Sequence, residues 1–359
     1  MTKARKYTVD KNLSAHYHVV NKCVQSVFLM GDDLERQISY GHRREWFHER
    51  LVFLANVFTL EIGGFAIMSN HYHLLLKTRP DKTESLKDAD VAKRWFLLFP
   101  PKVKKSITSR ADQILAHEID LLNNPKKLVI YRERLGSLSW FMKSMNEHIA
   151  RKGNEESGCK GRFWQGRFYS KLLTSAEAVL PCQTYIDLNP IRAGIATTPE
   201  NSTYTSAHDR IHANQNQTKL RDTQKFLSEN QGSELSPYQK EMVNTMKETI
   251  ARSKCLAPFY QGEKHEKPFF KITEKEYLDL LDWSGRMIKQ NKKGKIPLHL
   301  KPIFDRLEID RHQWLESIKN YNKWFYRIVG KMTNAWEMLK HTATQWFKGT
   351  KINQKLFGT

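Results

Sequence analysis

Cysteine is scarce in this chain of 359 residues, and its four cysteines, Cys23, Cys159, Cys182 and Cys255, form no C-x-x-C pair. Such scattered thiols point to a reducing compartment and argue against a structural zinc site. No apolar run approaches the roughly 20 residues that a membrane span needs. The opening MTKARKYTVDKN lacks the apolar core of a secretory signal, so the chain is expected in the cytoplasm. No P-loop pattern and no internal repeat occur. Acidic residues are the other shortage, 38 Asp and Glu against 59 Lys and Arg, for a net charge of +21. That excess favours a polyanionic partner. The chain lacks an amphipathic terminal helix or a lipidation signal, so the expected partner is nucleic acid rather than a membrane. Hydrophobic residues at 40% and charged residues at 27% suit a folded protein.

The stretch SNHYHLLLK, residues 69–77, carries two histidines on either side of a tyrosine. Its context, GGFAIMSNHYHLLLKT, reads as a β-strand. Side chains alternate along a strand, so His71 and His73 share a face, about 7 Å apart along the chain, and Tyr72 points to the core. Two neutral imidazoles so placed can converge on one divalent ion. A bland alternative is a satisfied core histidine beside an edge histidine. Residues 14–30 read as an earlier strand, in which His16 and His18 repeat the same spacing; this first pair is read as structural or DNA-facing.

DDLERQISYGHRREWFHERLVFLANVF reads as a helix capped by Asp32 or Asp33. Strand, helix and strand of these lengths suit an α/β sandwich. Residues 80–130 read as a helical insertion, or a lid on the sheet, broken at Pro100–Pro101. LGSLSWFMKSMNEHIARKGNEES has Leu138, Phe141, Met142, Met145 and Ile149 along one stripe, the pattern of a helix facing a core. Residues 211–260 turn polar and read as a linker, apart from a short helical piece near 238–252, and residues 261–359 read as a mostly helical accessory domain.

In CKGRFWQGRFYSKLL, residues 159–173, the basic Lys160, Arg162, Arg167 and Lys171 alternate with Phe163, Trp164, Phe168 and Tyr169. Aromatics offer stacking faces to unpaired bases while cations hold phosphates. The competing reading, a strand pair with aromatics in the core and charges in water, has equal weight. Downstream, Thr174 or Ser175 can cap a helix that Pro181 interrupts or kinks. Tyr185 and Asn189 lie four apart on one helix face, with Asn189 at or just past the helix end because Pro190 follows.

Taken together, IMSNHYHLLLK, GRFWQGRF and YIDLNPIRAG resemble, in order and spacing, the HUH-type single-tyrosine transposases, in particular the branch associated with repetitive extragenic palindromes. The resemblance spans about residues 10–210. It implies an α+β fold of ferredoxin-like type, an antiparallel sheet with helices on one or both faces, as a catalytic domain over residues 1–210. It further implies that His71 and His73 bind Mg²⁺ or Mn²⁺, that Asn189 is a third ligand, and that Tyr185 is the nucleophile. Lys160, Arg162, Phe163, Trp164, Arg167 and Arg192 are the expected nucleic-acid contacts. Trp314, Trp324, Arg327 and Lys331 in the helical tail are candidates for further hairpin contacts.

The chemistry fits those residue types. Phenol, with a pKa of about 10, is a weak nucleophile, and a cation on the scissile phosphate stabilises the charge that develops. A mixed nitrogen and oxygen ligand set leaves positions open for phosphate and water. Attack by Tyr185 on single-stranded DNA, at a hairpin or palindromic repeat, would give a 5′-phosphotyrosine and a free 3′-hydroxyl. The bond energy is kept, so strands can rejoin without ATP. Two rivals stand beside this reading: a relative that binds nucleic acid without cutting it, and a metal-dependent nuclease that uses water. Monomer and homodimer both remain open.

Overall fold

The computed structural model describes residues 9, 12–33, 37–100, 109–229, 235–261, 268–288, 315–316, 318–321, 328–340 and 350–357. The first strand, β1 (His16–Lys22), ends in a tight turn where Gln25 and Ser26 both take positive φ. A two-residue ribbon, β2 (Asp32–Asp33) with β3 (Ile38–Ser39), leads into helix α1 (Arg43–Val57). The expected cap at Asp32 or Asp33 is therefore corrected. Both aspartates pair in the ribbon, and His42 occupies the N-cap without a side-chain cap bond.

GGFAIMSNHYHLLLKT, read as one strand, is a hairpin. Strand β4 (Glu61–Ile67) turns at Met68–Asn70 into β5 (His71–Lys77). Four helices follow, α2 (Pro80–Glu84), α3 (Asp88–Leu98), α4 (Arg110–Leu122) and α5 (Pro125–Leu135), and then the long α6 (Leu138–Glu156). The stripe Leu138, Phe141, Met142, Met145 and Ile149 is fully buried, as its helical spacing implies. Strand β6 (Tyr169–Leu173) precedes α7 (Ala176–Asp187) and the single turn α8 (Asn189–Arg192). Helix α7 runs across Pro181 without interruption.

Among the described residues the main sheet has the order β4–β5–β1–β6–β7, where β7 is Ile328–Val329. All neighbours are antiparallel except β6 and β7. The architecture is α+β, an antiparallel sheet with helices on both faces. Strand periodicity divides its residues. Tyr17, Val19, Tyr72, Leu74, Leu76 and Leu172 enter one core with α1, α3 and α6, whereas Ala66, Leu75 and Leu173 enter a second core under α7. Gly64 permits that second packing, because a Cβ there would lie 2.1 Å from the Gln183 side chain of α7.

Two sequence-based expectations change here. The described helices of residues 80–130 pack away from the histidine face. Val91, Trp95, Leu98 and Leu128 join the opposite core, and α3 packs on α1. The described part of the stretch 211–260 is more helical than a linker with one short helical piece near 238–252. It carries α9 (Ser206–Glu229) and α10 (Pro237–Ser253), which pack side by side, α10 opened by a Ser236–Gln239 capping box. Their polar composition reflects exposed outer turns: only residues near the start of α9, up to Ala213, are buried. Beyond them, α11 (Glu274–Ile288) packs on α7, and α12 (Met332–Lys340) and α13 (Thr350–Phe357) pack together. Trp314, Trp324 and Arg327 lie outside the described residues; Lys331 lies near Glu177, Nζ to Oε1 3.6 Å.

Candidate active site

The histidine pair stands as the period of two requires. His71 and His73 project from one face of β5 with ring centroids 5.0 Å apart and nearly perpendicular. Tyr72 points the other way, where its buried hydroxyl donates to Asn146 Oδ1 at 2.6 Å. Each imidazole is held through Nδ1. His71 Nδ1 lies 2.7 Å from Asn70 Oδ1, and His73 Nδ1 lies 2.9 Å from Nε2 of the buried His18. The first H-x-H pair is thus divided. His18 belongs to the site, whereas His16 packs edge-on against Phe269 at 4.8 Å.

Helix α7 brings Tyr185 to the same place. Its ring stands edge-on to His73 at 5.5 Å and to His18 at 6.0 Å. The tyrosine is only 4% exposed, because Tyr321 stacks on it with 4.7 Å between centroids and 21° between planes. Arg192 lies over the Tyr185 ring, 4.9 Å to the centroid. The Arg192 guanidinium donates to the backbone carbonyls of Ile318 and Lys319. Arg192, expected among the nucleic-acid contacts, is exposed and makes these bonds within the chain. Asn189, half-buried at the start of α8, donates its side-chain amide to the Tyr185 carbonyl at 3.5 Å. No hydrogen bond links Asn189 to either histidine among the described residues.

The site is electrically unusual. His71 falls to about 4, first by burial and then by the Lys22 charge. Burial likewise holds His73 and His18 well below the usual imidazole range, with Lys171 adding to both. All three rings are therefore neutral at physiological pH, the state in which imidazole can ligate a metal. Lys171 sits opposite His18 in the β1–β6 pairing, buried, with Nζ 4.6 Å from the Tyr321 ring centroid. Burial lowers it to about 8.

The donor set fits a divalent cation in part. His73 Nε2 is buried with no hydrogen-bond partner, and the contact of His71 is made through Nδ1, which leaves Nε2 as that ring's candidate ligand atom. No group of three or more His, Cys, Asp or Glu side chains is arranged to hold a metal ion among the described residues. Two imidazoles without a carboxylate make an open site that phosphate and water oxygens would complete.

Sequence-based reasoning divides unevenly over the GRFWQGRF segment. Phe163 is buried and presents no face to a base, which corrects its expected role. Trp164 is half-buried, its indole N–H donating to the Asn146 carbonyl at 2.8 Å, so it too serves the core. Lys160, Arg162 and Arg167 are exposed. The segment runs beside the end of β1, with Gln165 N–H donating to the Lys22 carbonyl at 2.9 Å, and Lys22 pairs across from His71. Tyr169, 36% exposed, is the aromatic here that faces solvent.

Asp187, two residues past Tyr185, escaped sequence reasoning. It is fully buried and accepts from Ser206 Oγ at 2.6 Å, Gln183 Nε2 at 2.7 Å, the Ala207 backbone N–H at 3.1 Å and the Tyr277 hydroxyl. Its carboxylate ties α7 to the start of α9 and to α11.

One solved structure is similar to this chain. It is described as a REP-associated tyrosine transposase bound to a REP hairpin, with 13% identity and a TM-score of 0.29, covering 58% of this chain and 84% of that one. No family model matches the chain, and no curated protein does. Among the described residues no helix is long and apolar enough to cross a membrane.

Proposed function

We propose that the chain is a metal-dependent DNA transesterase of the HUH single-tyrosine type, which cleaves and rejoins single-stranded DNA at hairpin or palindromic sites through Tyr185. One observation carries the reading: Tyr185 from α7 stands against His73, on the sheet face that His71 and His73 share. The phenol oxygen would form a new bond to phosphorus while the bond from phosphorus to the 3′ oxygen breaks. The proton released by the phenol balances the one taken up by the leaving 3′-hydroxyl. When bound, Mg²⁺ or Mn²⁺ held by His71 and His73, with Asn189 as a further oxygen ligand, supplies charge stabilisation at the scissile phosphate. The exposed Lys160, Arg162 and Arg167 would hold backbone phosphates along the His71 edge.

The test incubates the protein with single-stranded DNA labelled on its 3′ side and Mg²⁺ or Mn²⁺. A labelled protein band that survives denaturation and is lost in Tyr185→Phe supports the reading. A nuclease that uses water predicts cleavage that persists in Tyr185→Phe and fails in His71→Ala or His73→Ala. The other alternative, a relative that binds without cutting, is favoured by a specific observation, the burial of Tyr185 beneath Tyr321. It predicts DNA binding with no adduct under either metal.

A further inference from the structure

Two contacts around the histidine pair share one logic that the proposed chemistry does not itself require. Each ring of the pair touches its neighbour through Nδ1: His71 to the Asn70 side-chain oxygen, His73 to His18 Nε2. A neutral imidazole has one N–H and one lone pair, so a partner that accepts at Nδ1 leaves the lone pair on Nε2. Asn70 Oδ1 is only an acceptor, which fixes His71 as the Nδ1–H form. We propose that His18 and Asn70 are positioning residues, which lock His73 and His71 as Nδ1–H tautomers so that both present Nε2 to the same cation.

The surroundings of each partner support this. Asn70 is anchored at its other end, where Nδ2 donates to the Ser26 carbonyl at 3.0 Å and its own carbonyl accepts from Cys23 N–H at 2.8 Å. Ser26 and Gln25 both take positive φ, uncommon for residues with a Cβ. The turn after β1 is thus bent to where it can grip Asn70, and Asn70 in turn sets the His71 ring. His18 is reached from the opposite side. In the β1–β5 register His18 stands across from Leu75, and His73 stands across from Val20. The two histidines are therefore diagonal neighbours on one face, a separation that long side chains bridge.

His18 has a second end, and it selects the tautomer. His18 Nδ1 and His73 Nε2 are both buried with no hydrogen-bond partner. If His73 carries its proton on Nδ1, His18 accepts it on Nε2 and keeps its own proton on Nδ1. That N–H then points among aromatic rings, with Tyr321 at 5.5 Å and 60°, where weak N–H···π contact is available. In the reverse arrangement His73 Nε2 would carry a proton and its lone pair would be taken by His18, leaving nothing for a cation.

The inference rests on His71 and His73 being the metal ligands, and the experiment separates the two claims. Nitrogen NMR of the histidine rings, with assignments by single substitution, is recorded on the full chain without metal. Mn²⁺ affinity is then measured from the resonance of the free ion. The expected result is Nδ1–H for both His71 and His73 in the unsubstituted chain. His18→Phe should release His73 into a mixture of tautomers, and Asn70→Ala should do the same for His71. Each should weaken Mn²⁺ binding about 10- to 100-fold, the usual effect of removing a partner behind a ligating histidine. His18→Gln, whose amide oxygen can accept from Nδ1, should recover most of the loss. Finding His73 protonated on Nε2, or unchanged tautomers and affinity in both variants, overturns the inference. If instead the unsubstituted chain and His71→Ala bind Mn²⁺ equally, the ligand assignment itself fails. His18→Phe alters a buried position, so its fold is checked by thermal melting. The half-buried turn residue Asn70 supplies the independent variant.

Discussion

The rings of Tyr185 and Tyr321 lie face to face, 4.7 Å apart and within 21° of parallel, so a residue far along the chain covers the proposed nucleophile. Arg192 ties the same region down by donating to the carbonyls of Ile318 and Lys319. Attack on a phosphate requires the Tyr185 hydroxyl to be reached, so Tyr321 must leave the ring. Tyr321→Leu keeps apolar bulk while removing the stack. It is predicted to raise nitration of Tyr185 by tetranitromethane, read by mass in the peptide 172–192, and to leave adduct formation no slower. Unchanged protection of Tyr185 would show that Tyr321 is not its cover.

The histidine pair and its neighbours give the fold a definite acid response. Burial, with nearby lysine charge, takes His16 to about 3 and His71 to about 4, and holds His18 and His73 lower than the ordinary 6.5. Below about pH 6.5 the unfolded chain binds protons that the folded chain does not, so stability rises with pH in the window from about 4 to 6.5 and is lost as pH falls through it. Each such histidine contributes a slope of about 1.4 kcal/mol per pH unit there. The urea midpoint is predicted to fall steeply between about pH 6.5 and pH 5, and less steeply in His16→Gln. A flat profile contradicts the buried, neutral state of these rings.

How much of this was readable beforehand follows from the range of each signal. The shared face of His71 and His73 and the apolar stripe of α6 come from local periodicity, which a single segment displays. The role of His18 does not, because it depends on the β1–β5 register, a pairing across 55 positions. The turn at Met68–Asn70 was missed because it contains neither glycine nor proline, so apolar flanks on both sides looked continuous. Helix α9 was missed because it buries little beyond its first turns, so its sequence carries almost no apolar stripe, whereas α10 was legible as a helical piece near 238–252 from the spacing of Met242, Met246 and Ile250. Phe163 and Trp164 were legible as aromatic, but the side of the chain they face is set by packing, with the Phe163 ring seated on Gly153.

Lys171 stands as a buried cation against the Tyr321 ring, and its charge acts on His18 and His73. Its fall from 10.5 to about 8 means that at neutral pH the charged form costs the folded state on the order of 3 kcal/mol. Lys171→Met is predicted to stabilise the fold by about 1–3 kcal/mol, the cation–π contact with Tyr321 being lost in exchange. In the unsubstituted chain stability should rise as pH climbs from about 8 to 10.5, because only the unfolded lysine still holds its proton there. Denaturant titration checks both, and a destabilised Lys171→Met contradicts the first.

Asp187 supplies the firmest tie between α7 and the helices beyond it. Asp187→Ala leaves the Tyr277 hydroxyl and the Ala207 N–H without this acceptor, while Ser206 keeps only the Phe65 carbonyl at 3.4 Å and Gln183 keeps Ser206 Oγ at 3.0 Å. The loss is predicted at about 3–5 kcal/mol, as for other buried charges whose network is cut. Asp187→Asn keeps one acceptor oxygen for Ser206 and Ala207 and should cost less. Thermal unfolding of the two variants checks the order, and equal losses would contradict it.

Mass spectrometry of the protein after reaction with single-stranded DNA and Mn²⁺ tests the central claim most directly. Digestion with trypsin and nuclease should yield the peptide 172–192 carrying a phosphonucleotide on Tyr185, and none should form in Tyr185→Phe. DNA cleaved to the same extent by Tyr185→Phe, with that peptide unmodified, would contradict the account.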